Sequence, residues 1–581
     1  MDLLELYPPE VSSEIIAYAC LTKHHQDWEE VISVDLLLDL TLVSSTWQAF
    51  IIGTPGLWAD IFLDSRQEEL ALKLALQCEL SRDHALSISV GLLNSTVSGD
   101  FLPLLDNHRH RIQELTVLDE IQLSIFFNTV SSLPCLKSLL CQKCRIGEAT
   151  TRCIDQHPSL QVVKGIYVNQ QVLTSNWLHC LREVDVGVPL HELVPHLDAL
   201  SNIRHIRFKS INRPQGASLK PYKVHILPTL PWTRLTIDEW EANISVHFWQ
   251  NLDVLVPALA QSLTELDCRV NFGLLSRLLS RLAEFTSIFQ LRLRLIAHGT
   301  LDTSAKITQP SLVQKLYIET RLDFDSRMPL PEILPVLVQM MAKCFHNVTH
   351  LLLHGFTNSG LVPLLSREFL PKLRDVVLNE CDYYYKTDII LSSTVQTLKF
   401  HSGGGPPDLM MYRSEGIREV ALDYPFTSLM GIGEQQGLNL HLWPHLKKLH
   451  AHGGLKIDWI GSGLKNLHSI TLAQGSSAKD PYQGTRLLYI LSLYPHQFPV
   501  LTDLNLVPRI EWDILFCCLE ARNAQKVESN VRIEAITFNG EIPFGFPELI
   551  SRLLRGEEVR RPSNLNLSWI GNLDLLQDSN L

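Results

Sequence analysis

The amino-acid sequence predicts an α/β protein in which a short helical segment precedes a long series of repeated strand and helix units. Two observations lead to this prediction. Within the first sixty residues, apolar side chains recur at helical spacing after a pair of prolines. From about residue 108 onward, short stretches with leucine, isoleucine or valine at alternate positions recur to the end of the chain. Such units bury their apolar faces by stacking on one another, so we expect an extended stack.

The first predicted helix begins at Pro8 and Pro9, whose fixed φ and missing N–H suit the first turn of a helix. Glu10 follows in that turn, where the helix dipole favours an acidic side chain. A single apolar stripe then recurs at helical spacing and consists of Val11, Ile15, Tyr18 and Ala19. These features predict an amphipathic helix.

Two further short helices are predicted before residue 63. Residues 36–43 are apolar on more than one helix face, which indicates burial on several sides. Gly53, Thr54 and Pro55 mark the end of the third helix. Chains below about 40 residues rarely bury enough surface to fold unaided, so three short helices need support. We expect that support from the rest of the chain, from a partner protein, or from both.

This helical segment resembles an F-box, in the form common in large fungal families of F-box proteins. The resemblance covers residues 4–63. It is carried by three motifs: Pro8-Pro9-Glu10, Leu40-Thr41-Leu42-Val43 with Trp47, and Thr54-Pro55-Gly56-Leu57-Trp58. The resemblance implies that the helices bind the adaptor subunit of an SCF-type cullin–RING ubiquitin ligase, and that Trp47 holds the three helices together. The residues matching the docking motif are Pro8, Pro9, Glu10, Val11, Ile15, Ile16, Leu40, Val43 and Trp47.

An alternative interpretation needs no partner. In it, the three helices form a cap on a larger domain, and Trp47 and Trp58 belong to the core. Residues 64–107 are expected to connect the helical segment to the repeats. Leu70 and Leu74 suggest a helix there, and the alternation from Ala85 to Val90 suggests a strand.

Residues 108–581 are predicted to form the repeated part. Its recurring phrase is close to Leu-x-x-Leu-x-Leu, with key apolar positions about 21 to 60 residues apart. The shorter spacings match one leucine-rich unit, and the longer ones suggest an unread unit or a loop. Helices are predicted at 252–261 and 330–342. The key positions are Leu115, Leu139, Val184, Ile206, Leu266, Leu316, Leu352, Val377, Leu398, Val420, Leu449, Ile470 and Leu504.

These repeats resemble the irregular leucine-rich-repeat regions that follow the F-box in many fungal proteins. The resemblance implies a solenoid of short parallel strands alternating with helices, whose surface holds a target protein. A generic α/β domain with leucine-rich strands is the alternative. A doubly wound sheet normally carries a Gly-x-Gly-x-x-Gly phosphate loop after its first strand, and the sequence has none.

The bulk composition excludes several classes of protein. The chain has 581 residues and a formal net charge of −12, so a general affinity for nucleic acid is not expected. It has neither an apolar run long enough for a transmembrane helix nor a basic start typical of a signal peptide. The twelve cysteines are scattered, as expected for reduced thiols in the cytoplasm or nucleus. No membrane partner is therefore expected.

Catalytic motifs are missing from the sequence, so the chain is not expected to be an enzyme or to need a cofactor. Cys141 and Cys144 form one Cys-x-x-Cys motif near His157, but Cys141 ends a leucine-rich strand pattern. A buried structural cysteine is favoured over a metal ligand there. His205, His350 and His450 occupy expected solvent-facing strand positions, where they are surface residues or partner contacts.

Two classes of function remain. The first is a substrate-receptor subunit of an SCF-type ubiquitin ligase, with the helices on the adaptor and the repeats on an unknown target protein. The second is a leucine-rich scaffold without any role in ubiquitin transfer. An enzyme with an unrecognised site is a distant third.

Overall fold

The computed structural model describes most of the chain, in segments separated by gaps. The described residues are 3–22, 31–130, 132–145, 147–168, 172–186, 193–209, 227–238, 252–296, 307–320, 338–356, 365, 369–379, 381, 389–401, 412–423, 438–439, 443–452, 457–458, 465–473, 483–494, 498–506, 510, 512–524, 532–538 and 545–562. The chain divides into two compact units, residues 1–263 and residues 264–581.

The first unit begins with short helices, as the sequence predicts. The helices up to the first long strand are α1 (Leu3–Leu6), α2 (Pro9–Ala19), α3 (Val34–Thr41), α4 (Ser45–Gly53) and a 3₁₀ turn (Pro55–Trp58). A two-stranded antiparallel pair, β1 (Leu21–Thr22) and β2 (Val31–Ile32), lies between α2 and α3. We call residues 3–58 the helical head.

After the head, the described part of the first unit contains a sheet of eight parallel strands. The strands are β3 (Asp60–Leu63), β4 (Leu86–Val90), β5 (Ile112–Val117), β6 (Ser138–Arg145), β7 (Val162–Val168), β8 (Glu183–Val186), β9 (His205–Lys209) and β10 (Arg234–Asp238). Helices of this unit that connect strands are α5 (Leu70–Leu80), α6 (Ser95–Asp106), α7 (Glu120–Thr129), α8 (Glu148–Asp155) and α9 (Leu252–Leu259).

The described part of the second unit carries eleven strands of a long parallel sheet, in chain order. These strands are β11 (Glu265–Asn271), β12 (Gln290–Ile296), β13 (Lys315–Thr320), β14 (His350–His354), β15 (Asp375–Asn379), β17 (Thr397–His401), β19 (Glu419–Asp423), β21 (Lys448–His452), β23 (Ser469–Ala473), β24 (Asp503–Leu506) and β25 (Ala535–Phe538). Two small parallel pairs join β16 (Ile389–Ile390) to β18 (Tyr412–Arg413) and β20 (Leu438–Asn439) to β22 (Ile457–Asp458). Helices of this unit include α10 (Phe272–Arg281), α11 (Gln483–Leu493), α12 (Trp512–Leu519) and α13 (Phe546–Leu554).

Alternate strand positions build the core of each unit. In the second unit Leu316, Leu351 and Val376 are aligned across β13, β14 and β15, and each is at most 1% exposed. Full burial of one such side chain stabilises a fold by roughly 1.5–3 kcal/mol. Because most strands contribute at least two such positions, the buried rows supply the main stabilisation of the stack.

The structure corrects the sequence prediction in two repeats. The repeat pattern predicts Leu352 and Val377 as key apolar positions, but the buried residues are Leu351 and Val376, one position earlier. The runs Leu351-Leu352-Leu353 and Val376-Val377-Leu378 are apolar throughout, so alternation could not fix their register. Leu352 and Val377 therefore lie on the outer face of the sheet.

The long spacings between key positions contain strands that the repeat pattern does not predict. β7, β10 and β12 fill the gaps of 45, 60 and 50 residues that follow Leu139, Ile206 and Leu266. The sheet also begins before residue 108, because β3 and β4 already pair in parallel with each other and β4 pairs with β5. The predicted helix at 252–261 is α9. For the other predicted helix, 338–342 is helical and 330–337 lies outside the described residues.

A hydrogen-bond pattern repeats at the start of the strands. The carbonyl of the residue before a strand accepts two N–H groups from the next repeat, as Arg374 does from Gln396 and Thr397 at 2.7 and 3.0 Å. A side chain three residues before the strand donates to a carbonyl of the preceding repeat. The five donors of this kind, with their acceptors, are Ser159 to Pro134, Asn202 to His179, Ser262 to Leu230, Asn347 to Ser311 and Asn466 to Pro444.

One irregularity in the first sheet depends on a glycine. The register between β6 and β7 shifts between Leu140 and Cys144, so β6 carries extra residues there. Opposite this shift Gly165 adopts φ +68°, and a Cβ at Gly165 would lie 1.6 Å from the carbonyl oxygen of Cys141. Both the backbone conformation and the close approach require glycine.

We expect Gly165→Ala to lower the free energy of unfolding of the first unit by at least about 2 kcal/mol, because the left-handed conformation and the clash both penalise the side chain. Chemical denaturation followed by circular dichroism measures the effect. Gly56→Ala is the matched control, since nothing lies within 4 Å of a Cβ at that position. Equal stability of the two variants would contradict the prediction.

Candidate functional site

The helical head has a small core of its own. The core consists of Ile16, Cys20, Ile32, Leu37, Ile51, Leu57 and Trp58, each no more than 9% exposed. The indole N–H of Trp58 donates to the carbonyl of Ile51 at 2.8 Å, which ties the 3₁₀ turn to α4. Because Trp58 is fully buried and its polar atom is satisfied, it anchors the head to the first strand of the sheet.

The head also packs on the repeats, as the short length of its helices requires. Leu76 and Leu80 of α5 lie against the head core. Lys73 of the same helix forms an ion pair with Asp35 of α3 at 2.8 Å. The sheet part of the first unit thus covers one side of the head.

Local sequence explains where the head helices begin. Pro8 is the N-cap of α2 and Pro9 its first residue, as the proline pair predicts. Ser33 and Ser44 cap α3 and α4, and their hydroxyl oxygens accept hydrogen bonds from the N–H groups of Leu36 and Trp47. These caps fix three short helices whose lengths alone give them little stability.

Many large apolar side chains elsewhere on the head are exposed to solvent. Of the sixteen exposed large apolar residues in the described part of the chain, nine belong to the head. Tyr18, Leu42 and Val43 are the most open of these nine, with 78%, 82% and 60% of their surface accessible. The nine are Leu6, Tyr7, Val11, Ile15, Tyr18, Leu36, Leu42, Val43 and Ile52. We refer to them as the exposed head residues.

The structure divides the nine predicted adaptor contacts into two groups. Pro8, Pro9, Glu10, Val11, Ile15 and Val43 lie at the surface. Ile16 is 1% exposed and belongs to the head core, while Leu40 and Trp47 pack partly buried against that core. Trp47 thus occupies a position consistent with holding the helices together, although the fully buried tie is Trp58.

Helix α2 illustrates why the sequence could not tell the two faces apart. Its buried residues are Ser12 and Ile16, followed by Cys20 at the C-cap, whereas the predicted apolar stripe of Val11, Ile15 and Tyr18 points away from the core. The hydroxyl of Ser12 is buried and lies 3.4 Å from the carbonyl of Tyr7. Four further exposed apolar residues were not predicted as site residues, because a leucine or isoleucine in a short helix is usually buried: Leu6, Leu36, Leu42 and Ile52.

The outer face of the sheets carries opposite charges on neighbouring strands. Arg294 pairs with Asp267 at 2.6 Å and Arg292 with Glu319 at 3.2 Å in the second unit. Such cross-strand pairs neutralise much of the face and align adjacent repeats. His350 belongs to this pattern, since its ring lies 2.8 Å from Asp375.

His205 differs from the solvent-facing residue that the sequence predicts. It is 9% exposed, and its two ring nitrogens lie 2.9 Å from Glu183 and 3.1 Å from Thr236. Residues on β8, β9 and β10 are thereby joined. The hydrogen bond to His205 holds the pKa of Glu183 below its usual range, against the opposing effect of burial. His205 is thus a structural bridge between three repeats.

Metal and nucleophile chemistry find no support among the residues that the structure describes. No group of three His, Cys, Asp or Glu side chains there is placed to hold a metal ion. Cys141 is 1% exposed on β6, and the side chains of Cys144 and Cys153 lie outside the description. Burial raises the pKa of Cys78 to about 11 and those of Cys344 and Cys518 to about 12. Thiols of this kind are poor nucleophiles.

Within the described ranges, no helix combines the length and apolarity that crossing a bilayer requires. No protein-family model matches the chain, and no curated protein does so either. Among solved structures, the chain is similar to the circular leucine-rich-repeat protein CroV588, with 11% identity and a TM-score of 0.31 over 76% of this chain. The match covers 51% of CroV588, so the chain spans about half of that protein.

The strands themselves define the class of protein. Most repeats contribute one short parallel strand with a buried Leu-x-Leu-like pair, and the apolar faces pack against neighbouring repeats. This is a leucine-rich-repeat-like α/β fold with a helical head.

We expect the buried thiols to resist alkylation in the native protein. At pH 8 a thiol of pKa about 11 has roughly a hundredth of the thiolate of an ordinary cysteine, and burial also blocks access. Iodoacetamide labelling followed by peptide mass spectrometry should modify the half-buried Cys135 first, and Cys78, Cys344 and Cys518 only after denaturation. Native labelling of Cys344 as fast as that of Cys135 would contradict this expectation.

We expect the Glu183–His205 pair to make the stability of the folded chain depend on pH in the acidic range. Since the pKa of Glu183 is depressed in the folded chain, its contribution is complete above the unfolded value of about 4.5 and disappears as the pH falls through the folded value. Glu183→Gln should lower the free energy of unfolding at pH 7. It should also make that free energy fall less steeply as the pH drops below about 4.5, as measured by thermal unfolding against pH. An unchanged profile in this variant would show that the pair contributes nothing.

Proposed function

We propose that this protein is the substrate-receptor subunit of an SCF-type cullin–RING ubiquitin ligase. In this proposal the helical head binds the adaptor subunit and the repeats bind a target protein. Catalysis belongs to other subunits of such a ligase, so the chain itself needs no nucleophile, metal or cofactor. The cytoplasm and the nucleus are the compartments that fit this role. A fungal source is part of the same proposal, because the F-box resemblance is to fungal families.

One observation carries the proposal: the head keeps a set of large apolar side chains at its surface although its own core is complete. Isolated apolar surface residues need no explanation, but a concentration of them marks an interaction site. Nine of the sixteen such residues in the described part of the chain fall within positions 6–52. A cap that served only to close the stack has no reason to keep Leu42 and Val43 open to water.

The arrangement of the predicted contacts supports the same proposal. Pro8, Val11 and Ile15 lie at the surface along α2, and Val43 lies in the turn between α3 and α4. These positions match the docking motif of the F-box resemblance. Ile16, Leu40 and Trp47 support that surface from behind, because they belong to the head core or pack against it.

A leucine-rich scaffold without a ligase role is the second candidate. The packing of Leu76 and Leu80 of α5 against the head core favours it, since a cap is expected to share its core with the repeats. That packing covers one side of the head and leaves the exposed head residues unexplained. The receptor therefore accounts for more of the structure.

Co-purification with the adaptor subunit tests the proposal. We expect the wild-type chain to retain the adaptor, and the double variant Pro8→Ala with Val43→Asp to lose at least about tenfold in affinity, because a charge then faces an apolar interface. Val43 is 60% exposed in the free chain, so the substitution leaves the head core intact. Surface plasmon resonance gives the affinities.

Leu72→Asp is the matched control, because Leu72 is an equally open apolar residue, 66% exposed, on α5 outside the head. The control should bind the adaptor like the wild type. No adaptor binding by the wild type would leave the scaffold as the better explanation. An equal loss in the control variant would mean that the head is not the docking surface.

A further inference from the structure

The starts of five neighbouring strands in the second unit form a basic surface on an acidic chain. These strands are β15, β17, β19, β21 and β23, and backbone hydrogen bonds of 2.7–2.8 Å join the residues just before them. Counting the first residue of each strand and the four before it, the surface has six Lys or Arg residues and three acids. The whole chain has a net charge of −12. We call this surface the basic edge; its cations are Lys372, Arg374, Arg418, Lys447, Lys448 and Lys465.

Two of the three acidic side chains within the basic edge lie close to a basic side chain. Asp375 lies 2.8 Å from the ring of His350, and Glu419 lies 3.8 Å from Lys399 on the neighbouring strand. Five of the six cations are exposed, and Arg418 is half-buried. His445 and His468 are exposed among them. The strand starts of β21 and β23 contain no acid at all in this window.

The same edge has an apolar end. Phe289 precedes β12 and Leu312 precedes β13, and they are 40% and 49% exposed. They are two of only four exposed large apolar residues in the described part of the second unit. Lys315 lies over the ring of Phe289, 5.2 Å from its centroid, and keeps that ring at the edge. Apolar and basic surface therefore follow each other along one line of strand starts.

We infer that the basic edge, with Phe289 and Leu312, binds an acidic segment of a target protein that carries one or two large apolar residues. Charge complementarity selects the acidic segment, and the exposed ring and leucine select its apolar end. This inference rests on the proposed function in that it locates target binding on the repeats. Nucleic acid fits less well, because acids interrupt the cations on β15 and β19.

Strand spacing sets the size of the segment. Neighbouring strands lie about 4.8 Å apart, so Arg374 is about 10 Å and Lys447 about 24 Å from Leu312 along the line of strands. An extended chain advances about 3.3 Å per residue. Acidic residues are therefore expected roughly three and seven positions from the apolar residue.

The test uses a fluorescein-labelled peptide of roughly twelve residues, with Phe and Leu at one end and Asp and Glu at about three to seven positions from them, a spacing taken from the strand repeat. Fluorescence anisotropy with the full chain should show saturable binding that weakens with salt. The variant Lys447→Glu with Lys448→Glu should bind at least about tenfold more weakly, since both cations are exposed. The variant Leu312→Asp should also lose affinity.

The control variant is Lys137→Glu with Lys164→Glu, which reverses two exposed cations at strand positions of the first unit. It should bind the peptide like the wild type. Thermal unfolding of all variants establishes that each is folded. Failure of the wild type to bind, an equal loss in the control, or tighter binding of a single-stranded oligonucleotide of the same charge would each overturn the inference.

Adaptor binding keeps the two proposals apart. The basic-edge variant should retain the adaptor, because the substitutions lie in the second unit and the head in the first. If the adaptor binds and the acidic peptide does not, the basic edge is not the target site and the receptor proposal stands. If the peptide binds and the adaptor does not, the receptor proposal fails and the edge is a site of a scaffold.

Discussion

The parallel register of neighbouring strands is the constraint on which the rest of the protein depends. Before most of the strands, one carbonyl accepts two N–H groups from the next repeat, and this bond recurs in both units. The fixed register brings apolar residues at alternate positions into continuous buried rows, as Leu398 and Val420 show. A one-residue slip moves those side chains to the outer face, so backbone bonding and burial specify the same register. Side chains such as Asn347 reinforce it by donating to the preceding repeat.

This constraint also places charges and site residues in lines. Since the strands of the long sheet in the second unit pair first residue with first residue, the residue just before each of them lies beside its counterpart in the next repeat. Ion pairs such as Arg294–Asp267 and the bridge through His205 are products of that alignment. So is the basic edge, whose residues are far apart in sequence and adjacent in the sheet. Repetition thus gives an irregular sequence a surface on which chemically similar side chains gather.

The helical head follows a different rule. Its core is closed by Trp58 and covered in part by Leu76 and Leu80 of α5, and its short helices are capped by Ser33 and Ser44. Its remaining apolar side chains face water, in a part of the chain that otherwise buries leucine efficiently. The adaptor interface that we propose is one explanation of that difference.

The sequence by itself determined the α/β class, the helical character of the N-terminal segment and most of the strands, because proline pairs and alternating leucines act locally. An Asn or Ser three residues before several strands is a further local signal of where a strand begins. Only the tertiary structure decided which face of α2 is buried, since Val11-Ile15-Tyr18 and Ser12-Ile16-Cys20 both recur at helical spacing. It likewise decided that Leu351 and Val376, rather than Leu352 and Val377, face the core. In each case the local sequence allows two orientations, and the neighbouring element selects one of them through burial.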